Sequence, residues 1–574
     1  MGLSRWISLV MVACLVAILY LLPTLVYWKH NGTGYFPVTS FDEDFYAAIA
    51  VSTATGQSLL ANPLLGETGH PREIGTETLM FLPRLLAAGM IRLFGLGLAF
   101  GLMSVLAPVV IFLLAYLLLR NFTGDHWWSL AGGCGLLLLP YYIPPIAATI
   151  HTVLHWMFSR PGVLLGFPEN LVYSRRYNPS LSAMLFFAFL FLHRKSAQTK
   201  DHFWALLAGA AGGLLFYSYL YFALAAFVFS ALYAGATLAL KKDAFRNASL
   251  ALVLQTLLSV PLFLILWINH RSYQTAFSVH SHALVFPTTD ILAVLLPLLL
   301  LAARRHGSAD LMWLACLGLA PVIAMNSQVI TGMSVEPWHY DKYVIVPLSI
   351  LLFCAACGIL TKEDSRIGAR LAQAFVCVAL FAATLTQVHI LRTDTLVGIM
   401  NTPKLTPVFQ WIRARTAPDD VLLMGDGVTT APWMVAATSR RVFVSFYVGA
   451  FPPAFPNEYR ERAYCYYWLQ GLDAAGFARG PETDTRSYLY AQDGFTFWFH
   501  PYLLTSDIKS QLAREYQDCS DSPQGCCARP FRADWLVESQ AHPFDSSRLS
   551  QLYEVLPAYS DGIYTVSRLT RIRP

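Results

Sequence analysis

The sequence predicts a polytopic α-helical membrane protein with a small α/β domain at its C-terminal end. Three observations lead there. Of 574 residues, 56% are hydrophobic and only 13% charged, with a mean hydropathy of +0.48, whereas a soluble globular chain carries roughly 25% charged residues. Apolar stretches of membrane-spanning length recur as far as residue 390. Beyond it the chain turns polar and alternates helix-like and strand-like patterns. The net charge of +5 is small and its Lys and Arg form no single stripe, which argues against a nucleic-acid partner.

The apolar stretches cover about 6–28, 98–119, 128–149, 179–193, 202–219, 220–240, 247–268, 288–303, 309–326, 342–360 and 367–390. Each is long enough, with tilt, to cross a hydrocarbon core of ~30 Å, so about eleven spans are expected. The first lacks a small-residue cleavage site and reads as a retained signal-anchor. The 77–96 run is interrupted by Glu77, Pro83, Arg84 and Arg92 and suits a helix lying in the interface, in contact with membrane lipids. With that run left out, Arg5, Arg120, Arg194/Lys195/Lys200, Lys241/Lys242/Arg246, Arg304/Arg305 and Lys362/Arg366/Arg370 all fall on one side. The positive-inside rule makes that side cytoplasmic. The outside then receives 29–97, 149–178, 269–287, 327–341 and everything after 391.

Residues 391–574 are expected to fold as the α/β domain: an amphipathic helix over 404–415, an apolar strand over 421–424, and strands over 440–449 and 533–539. Residues 562–569 read as a closing edge strand. Six of the ten cysteines lie in spans and read as small packing residues. Cys465, Cys519, Cys526 and Cys527 lie outside, an even number that fits disulfides in an oxidising compartment, with the pairing open. The vicinal pair Cys526–Cys527 has no His-Cys spacing that would favour a metal. Sequons at Asn31, Asn121 and Asn247 carry little weight, since two sit at the cytoplasmic face.

Chemistry gathers on the outside. Asp42, Glu43 and Asp44 stand together just past the first span, and the loops 69–77, 155–180, 269–282 and 327–343 are rich in Arg, His, Tyr and Trp. A carboxylate at such a place can deprotonate a hydroxyl nucleophile. Carboxylate oxygens can also hold Mg²⁺ or Mn²⁺, so Asp42 and Glu43 are candidate ligands of a divalent cation. Arginines can hold a phosphate through paired hydrogen bonds. Plainer roles compete: Trp156, Tyr173, Tyr177, Trp338 and Tyr340 also fit an interfacial aromatic belt. The triplet also fits a solvated helix start, which accounts for one carboxylate better than for three. His151, His155, His280 and His282 fit packing or solvation as readily as catalysis.

The segment "DEDFYAAIAVSTATGQ", with the spacing Asp42-Glu43-x-x-Tyr46-Ala47 and Gly56 about ten residues on, resembles the first outer loop of the GT-C superfamily of membrane glycosyltransferases. That superfamily includes protein O-mannosyltransferases, the aminoarabinose transferase of lipid A and arabinofuranosyltransferases. The run ending "RLFGLG" (92–97), the span closing "LLLRNFTG" (117–124), the odd number of spans and the outer C-terminal domain resemble it too. The resemblance implies a GT-C transmembrane domain over 1–390, with first outer loop 29–97, and a periplasmic domain over 391–574. It implies transfer of a sugar from a polyprenyl-phosphate donor to a glycan, lipid or protein hydroxyl, with Asp42 as general base and Glu43 positioning acceptor or metal. Asp44 is an addition to the Asp-Glu pattern, so the working pair is either Asp42–Glu43 or Glu43–Asp44. In a helix Asp42 and Asp44 would point about 200° apart. Arg175, Arg176 and Lys342 are the expected donor-phosphate contacts; His339, Asp341, Glu336 and Tyr46 are the expected substrate contacts. Short loops and a small outer domain point to a bacterial inner membrane. An oligosaccharide ligase or a phospho-group transferase would use most of the same parts. A transporter would need ionisable or broken helices at mid-membrane, and a non-catalytic scaffold would tolerate neutralising the triplet.

Overall fold

Long uncharged segments fold as helices because a helix satisfies its own backbone polar groups where lipid offers none. The computed structural model describes residues 2–37, 43–56, 64, 80–139, 171–268, 284, 308–331, 337–361, 365–392, 402–425, 431–445, 456–477, 506–521, 525–527, 531–541 and 543–572. The first helices are α1 (Leu3–Asn31), α2 (Glu43–Ala54), α3 (Phe81–Phe94), α4 (Leu96–Thr123) and α5 (His126–Leu138). Then come α6 (Ser180–Gln198), α7 (His202–Leu215), α8 (Leu220–Ala239), α9 (Phe245–Ile268) and α10 (Ser308–Met325). A helical turn Pro337–Tyr340 and a π-helical turn Asp341–Ile345 lead into α11 (Val346–Leu360), followed by α12 (Ser365–Arg392).

Among the described residues, six helical segments are long and apolar enough to cross a membrane: Leu3–Asn31, Leu96–Thr123, Leu220–Ala239, Phe245–Leu264, Asp341–Leu360 and Arg366–Val388. The expected segments 128–149, 179–193, 202–219 and 309–326 coincide at least in part with helices α5, α6, α7 and α10. Segment 288–303 lies outside the described residues. α3 has only 14 residues, about 21 Å at 1.5 Å per residue and short of a hydrocarbon core. Its Ala87, Ala88 and Ile91 are buried while Leu85, Leu86, Leu93 and Phe94 are exposed.

Contacts divide the chain into two compact units. One comprises Met1–Ser40, Gly97–Leu264 and Ser278–Val397; the other comprises Phe41–Leu96, Ile265–Phe277 and Gly398–Pro574. In the first unit, the ends of α1 and α4 are drawn together at "GLAFG" (97–101), small residues four apart of the kind that let membrane helices approach closely. A Cβ at Gly97 would lie 2.1 Å from the Thr33 carbonyl oxygen, and one at Gly101 2.3 Å from the Trp28 ring. The Trp28 indole donates to the Tyr35 carbonyl at 2.8 Å, which fixes the ring against the glycine. At the other end of this unit Arg194 is buried and bonds Asp310 at 2.7 Å, with its guanidinium 4.0 Å above the Phe122 ring. Arg194 therefore ties α6 to α10 rather than marking a free loop. Asn247, in one of the sequons, is buried too and donates to the carbonyls of Ser196 and Thr199.

The second unit contains a five-stranded sheet. Its elements are α13 (Thr402–Arg415), β1 (Val421–Met424), α14 (Ala431–Thr438), β2 (Arg441–Val442), α15 (Pro456–Leu469), α16 (Ser506–Ser520), β3 (Trp535–Ser539), α17 (Ser546–Leu552), β4 (Tyr553–Ser560) and β5 (Tyr564–Arg571). Strand order is β2-β1-β3-β5-β4. β2, β1 and β3 run parallel, while β5 and β4 add antiparallel pairs. All four residues of β1 are buried, as expected for an apolar strand inside a parallel sheet. The expectation of a closing edge strand over 562–569 is corrected: β5 lies between β3 and β4, and β4 is the edge. Pro557 explains why the true edge was hard to read. Proline lacks the ladder donor and is tolerated on an edge, here beside a register shift at Pro557/Tyr559. The expected strand 440–449 shortens to Arg441–Val442, with 446–449 outside the described residues.

Cys465 pairs with Cys527 across a separation of 62 residues, and Cys519 with Cys526 across 7. Loop-closure entropy makes the longer bridge worth roughly 4 kcal/mol. Cys465→Ser with Cys527→Ser is expected to lower the thermal unfolding midpoint far more than Cys519→Ser with Cys526→Ser, measured on the detergent-solubilised protein. Replacing Gly101 by Leu should destabilise α1–α4 packing by about 1–3 kcal/mol or more, read as earlier loss of the monodisperse peak on heating.

Candidate functional site

The acidic segment begins a helix. Glu43 and Asp44 occupy the first turn of α2, where carboxylates complement the helix dipole. Neither is solvated: Glu43 is 0% and Asp44 8% exposed, so the solvated helix start does not describe them. Asp44 Oδ1 accepts from the Phe45 amide at 2.9 Å. The C-terminal end of α2 is held by two cations from α3, again as the dipole favours. Arg84 Nε donates to the Thr53 hydroxyl and Arg92 Nε to the Ala54 carbonyl, at 2.5 and 2.6 Å. Within the same unit α2 packs on α3 and on α14. Tyr46, an expected substrate contact, is buried on α2 with its ring 5.6 Å from that of Phe45. Asp42 lies outside the described residues.

In the first unit the expected phosphate contacts separate into two roles. Arg176 is 2% exposed, and its guanidinium is directed to protein acceptors: Nε to the Ser104 hydroxyl at 2.5 Å, Nη1 to the Pro37 carbonyl at 2.8 Å, Nη2 to the Thr24 hydroxyl at 3.0 Å. It joins α1, the segment after α1, and α4, which is a structural duty.

Arg175 turns elsewhere. Its guanidinium carbon lies 5.4 Å from the Tyr343 ring centre, and Lys342 Nζ lies 5.1 Å from the same centre. The two cations therefore stand within about 10.5 Å of each other, the sum of those distances. The His339 ring sits 5.4 Å from Tyr343 and 4.8 Å from Tyr221, and Tyr340 stacks edge-on against Tyr221 at 5.1 Å. Tyr173 donates to the Tyr343 carbonyl at 2.7 Å. The Ser180 hydroxyl bonds the carbonyls of Tyr173 and Arg175, tying the loop to the start of α6. Cations, an imidazole and four tyrosines thus surround one point of the chain. That point is the π-helical turn Asp341–Ile345, with Asp341 itself buried. Single π-turns inside helices are frequent at functional sites.

Tyr173, Tyr177 and Tyr340 are each at most 2% exposed, so they are interior residues rather than a lipid-facing belt. Spacing does not mark Tyr219, Tyr221 and Tyr343, and only their proximity to His339 in the folded chain does. Glu336, His151, His155, His280 and His282 lie outside the described residues.

The chain is similar to ArnT from Cupriavidus metallidurans. The apo crystal structure of ArnT matches over 96% of this chain and 97% of its own, with 15% identity and a TM-score of 0.46. The crystal structure bound to undecaprenyl phosphate matches over 99% and 98%, with 13% identity and a TM-score of 0.43. No protein-family model and no curated protein matches the chain.

For a divalent cation, the described part of the acidic segment offers Glu43 and Asp44, and no group of three His, Cys, Asp or Glu side chains able to hold a metal occurs among the described residues.

Arg176→Ala removes three buried hydrogen bonds, each worth about 1 kcal/mol or more where it leaves an acceptor unsatisfied. It is expected to lower unfolding free energy by about 3 kcal/mol or more, seen as a drop in thermal midpoint. Tyr173→Phe should cost about 1 kcal/mol by the same measurement.

Proposed function

We propose that this protein is an integral-membrane glycosyltransferase of the GT-C kind that takes a sugar from polyprenyl phosphate and transfers it to an acceptor hydroxyl at the outer membrane face. The observation that carries this reading is the convergence of Arg175 and Lys342 on the Tyr343 ring, beside His339. Charges placed among apolar spans are costly and mark function. Guanidinium and ammonium groups together suit a phosphate whose lipid tail stays in the membrane. The buried carboxylates at the start of α2 support the second part of the chemistry, removal of a proton.

In the proposed step the acceptor oxygen attacks the anomeric carbon as its proton passes to a carboxylate of the acidic segment. The bond from that carbon to the phosphate oxygen breaks, and polyprenyl phosphate leaves with both electrons. Arg175 and Lys342 stabilise the charge that develops on the leaving phosphate. Asp42 is the proposed base, with Glu43 orienting the acceptor. Asp44 is the alternative partner of Glu43, because both stand on the first turn of α2 about 100° apart. The proposed side is the periplasm of a bacterial cell, where the disulfides of the second unit would persist.

Mass spectrometry of lipids co-purifying with the protein is expected to find polyprenyl-phosphate species, depleted in Arg175→Ala with Lys342→Ala. In a transfer assay with that lipid, Asp42→Asn and Glu43→Gln should each cut turnover by about 10²–10⁴, and a loss with Asp44→Asn in place of Asp42→Asn assigns the pair Glu43–Asp44. Full turnover in all three carboxylate variants would refute the mechanism and favour the scaffold.

A further inference from the structure

The second unit holds a cavity of about 660 Å³ whose lining includes no residue of α2, built where the end of α13, the turn before β1, the approach to β3 and the end of β5 meet. We infer that it binds an anionic saccharide, a site separate from the transfer chemistry and independent of that reading. Its volume lies within the ~300–1,000 Å³ of small-molecule sites.

Charge is the first argument. The lining carries four arginines, Arg415, Arg532, Arg568 and Arg571, against two aspartates, Asp420 and Asp534. The aspartates are already engaged. Arg532 bonds Asp534 at 2.8 Å, Asp420 at 3.4 Å and Asp419 at 3.3 Å, and its hydrogen bond holds the Asp419 carboxyl below the usual range. Asp534 also accepts from the Val421 amide at 2.8 Å, and Asp420 from the Ala417 amide at 2.7 Å. Arg415, Arg568 and Arg571 have no carboxylate partner among the described residues. Arg571 donates to the Phe531 and Cys527 carbonyls at 3.5 and 3.3 Å, which leaves the guanidiniums of Arg415 and Arg568 to call for an anion, bound through paired donors.

The second argument is the aromatic floor. The Trp535 indole is fixed by its bond to Asp420 Oδ2 at 2.8 Å and by the Trp411 ring 5.6 Å away. In the sheet Arg568 stands directly opposite Trp535, and Arg571 opposite Tyr553, so each cation has an aromatic neighbour on the adjoining strand. Phe531 and Tyr553 are buried beneath, while Trp535 is half-buried. A sugar ring can lie against the accessible part of the indole with its phosphate or carboxylate on Arg568 and Arg415.

The test is calorimetric titration of the full-length protein in detergent with glucose 6-phosphate, glucose, inorganic phosphate and uridine monophosphate. Saturable binding of glucose 6-phosphate is expected, with glucose and inorganic phosphate each weaker by about tenfold or more. Arg415→Ala with Arg568→Ala should abolish it while the thermal midpoint stays within a few degrees, since both side chains are exposed. If the double variant unfolds, the single variants Arg415→Gln and Arg568→Gln carry the test, each expected to weaken binding several-fold. Absence of saturable binding, undiminished binding in the variants, or equal binding of inorganic phosphate or uridine monophosphate would overturn the inference.

Discussion

Arg176 joins three stretches of chain that apolar burial alone would leave free to slide. Its guanidinium reaches Thr24, Pro37 and Ser104, and a buried guanidinium with those partners removed would be far more costly than the bonds are favourable. The tie works together with the close approach at Gly97 and Gly101, since both fix the end of α1 against α4. With Arg176 committed there, its neighbour turns toward another part of the unit. Arg175 lies over Tyr343, and the Ser180 hydroxyl holds the intervening carbonyls. The fixed arginine thus sets the aim of its neighbour.

The same logic governs the second unit on a smaller scale. α2 carries acid at its beginning and accepts two arginines at its end, an arrangement in which both ends complement the helix dipole. Packing on α3 and α14 then shields carboxylates that would otherwise be hydrated. The two disulfides bind the vicinal cysteines to different helices, Cys526 to α16 and Cys527 to α15, so a short turn adds covalent ties to two helices that the Arg460–Glu515 ion pair already joins.

Much of the fold was legible because its signals are local. Uninterrupted apolar runs became helices, and β1 was readable from Val421–Met424 alone. The edge strand β4 was not, because Pro557 and the polar residues around it look like a turn. The site was legible only in part. Arg175, Lys342, His339 and Asp341 were named from residue type and side of the membrane, yet nothing local distinguished Arg175 from Arg176. That difference depends on acceptors 72 and 152 positions away. Tyr219 and Tyr221 looked like ordinary residues at the start of a span, and their place beside His339 is a long-range property.

The contact of α2 with α14 has a consequence for biosynthesis. Residues 43–54 are made early, whereas their partner at 431–438 follows only after the apolar helices have been synthesised. Pairings between segments so distant in sequence form late, because the intervening chain must be closed into a loop first. A nascent chain can therefore insert its helices while the acidic segment still lacks its packing partner. Chemistry that depends on those carboxylates would begin only after most of the polypeptide has left the ribosome.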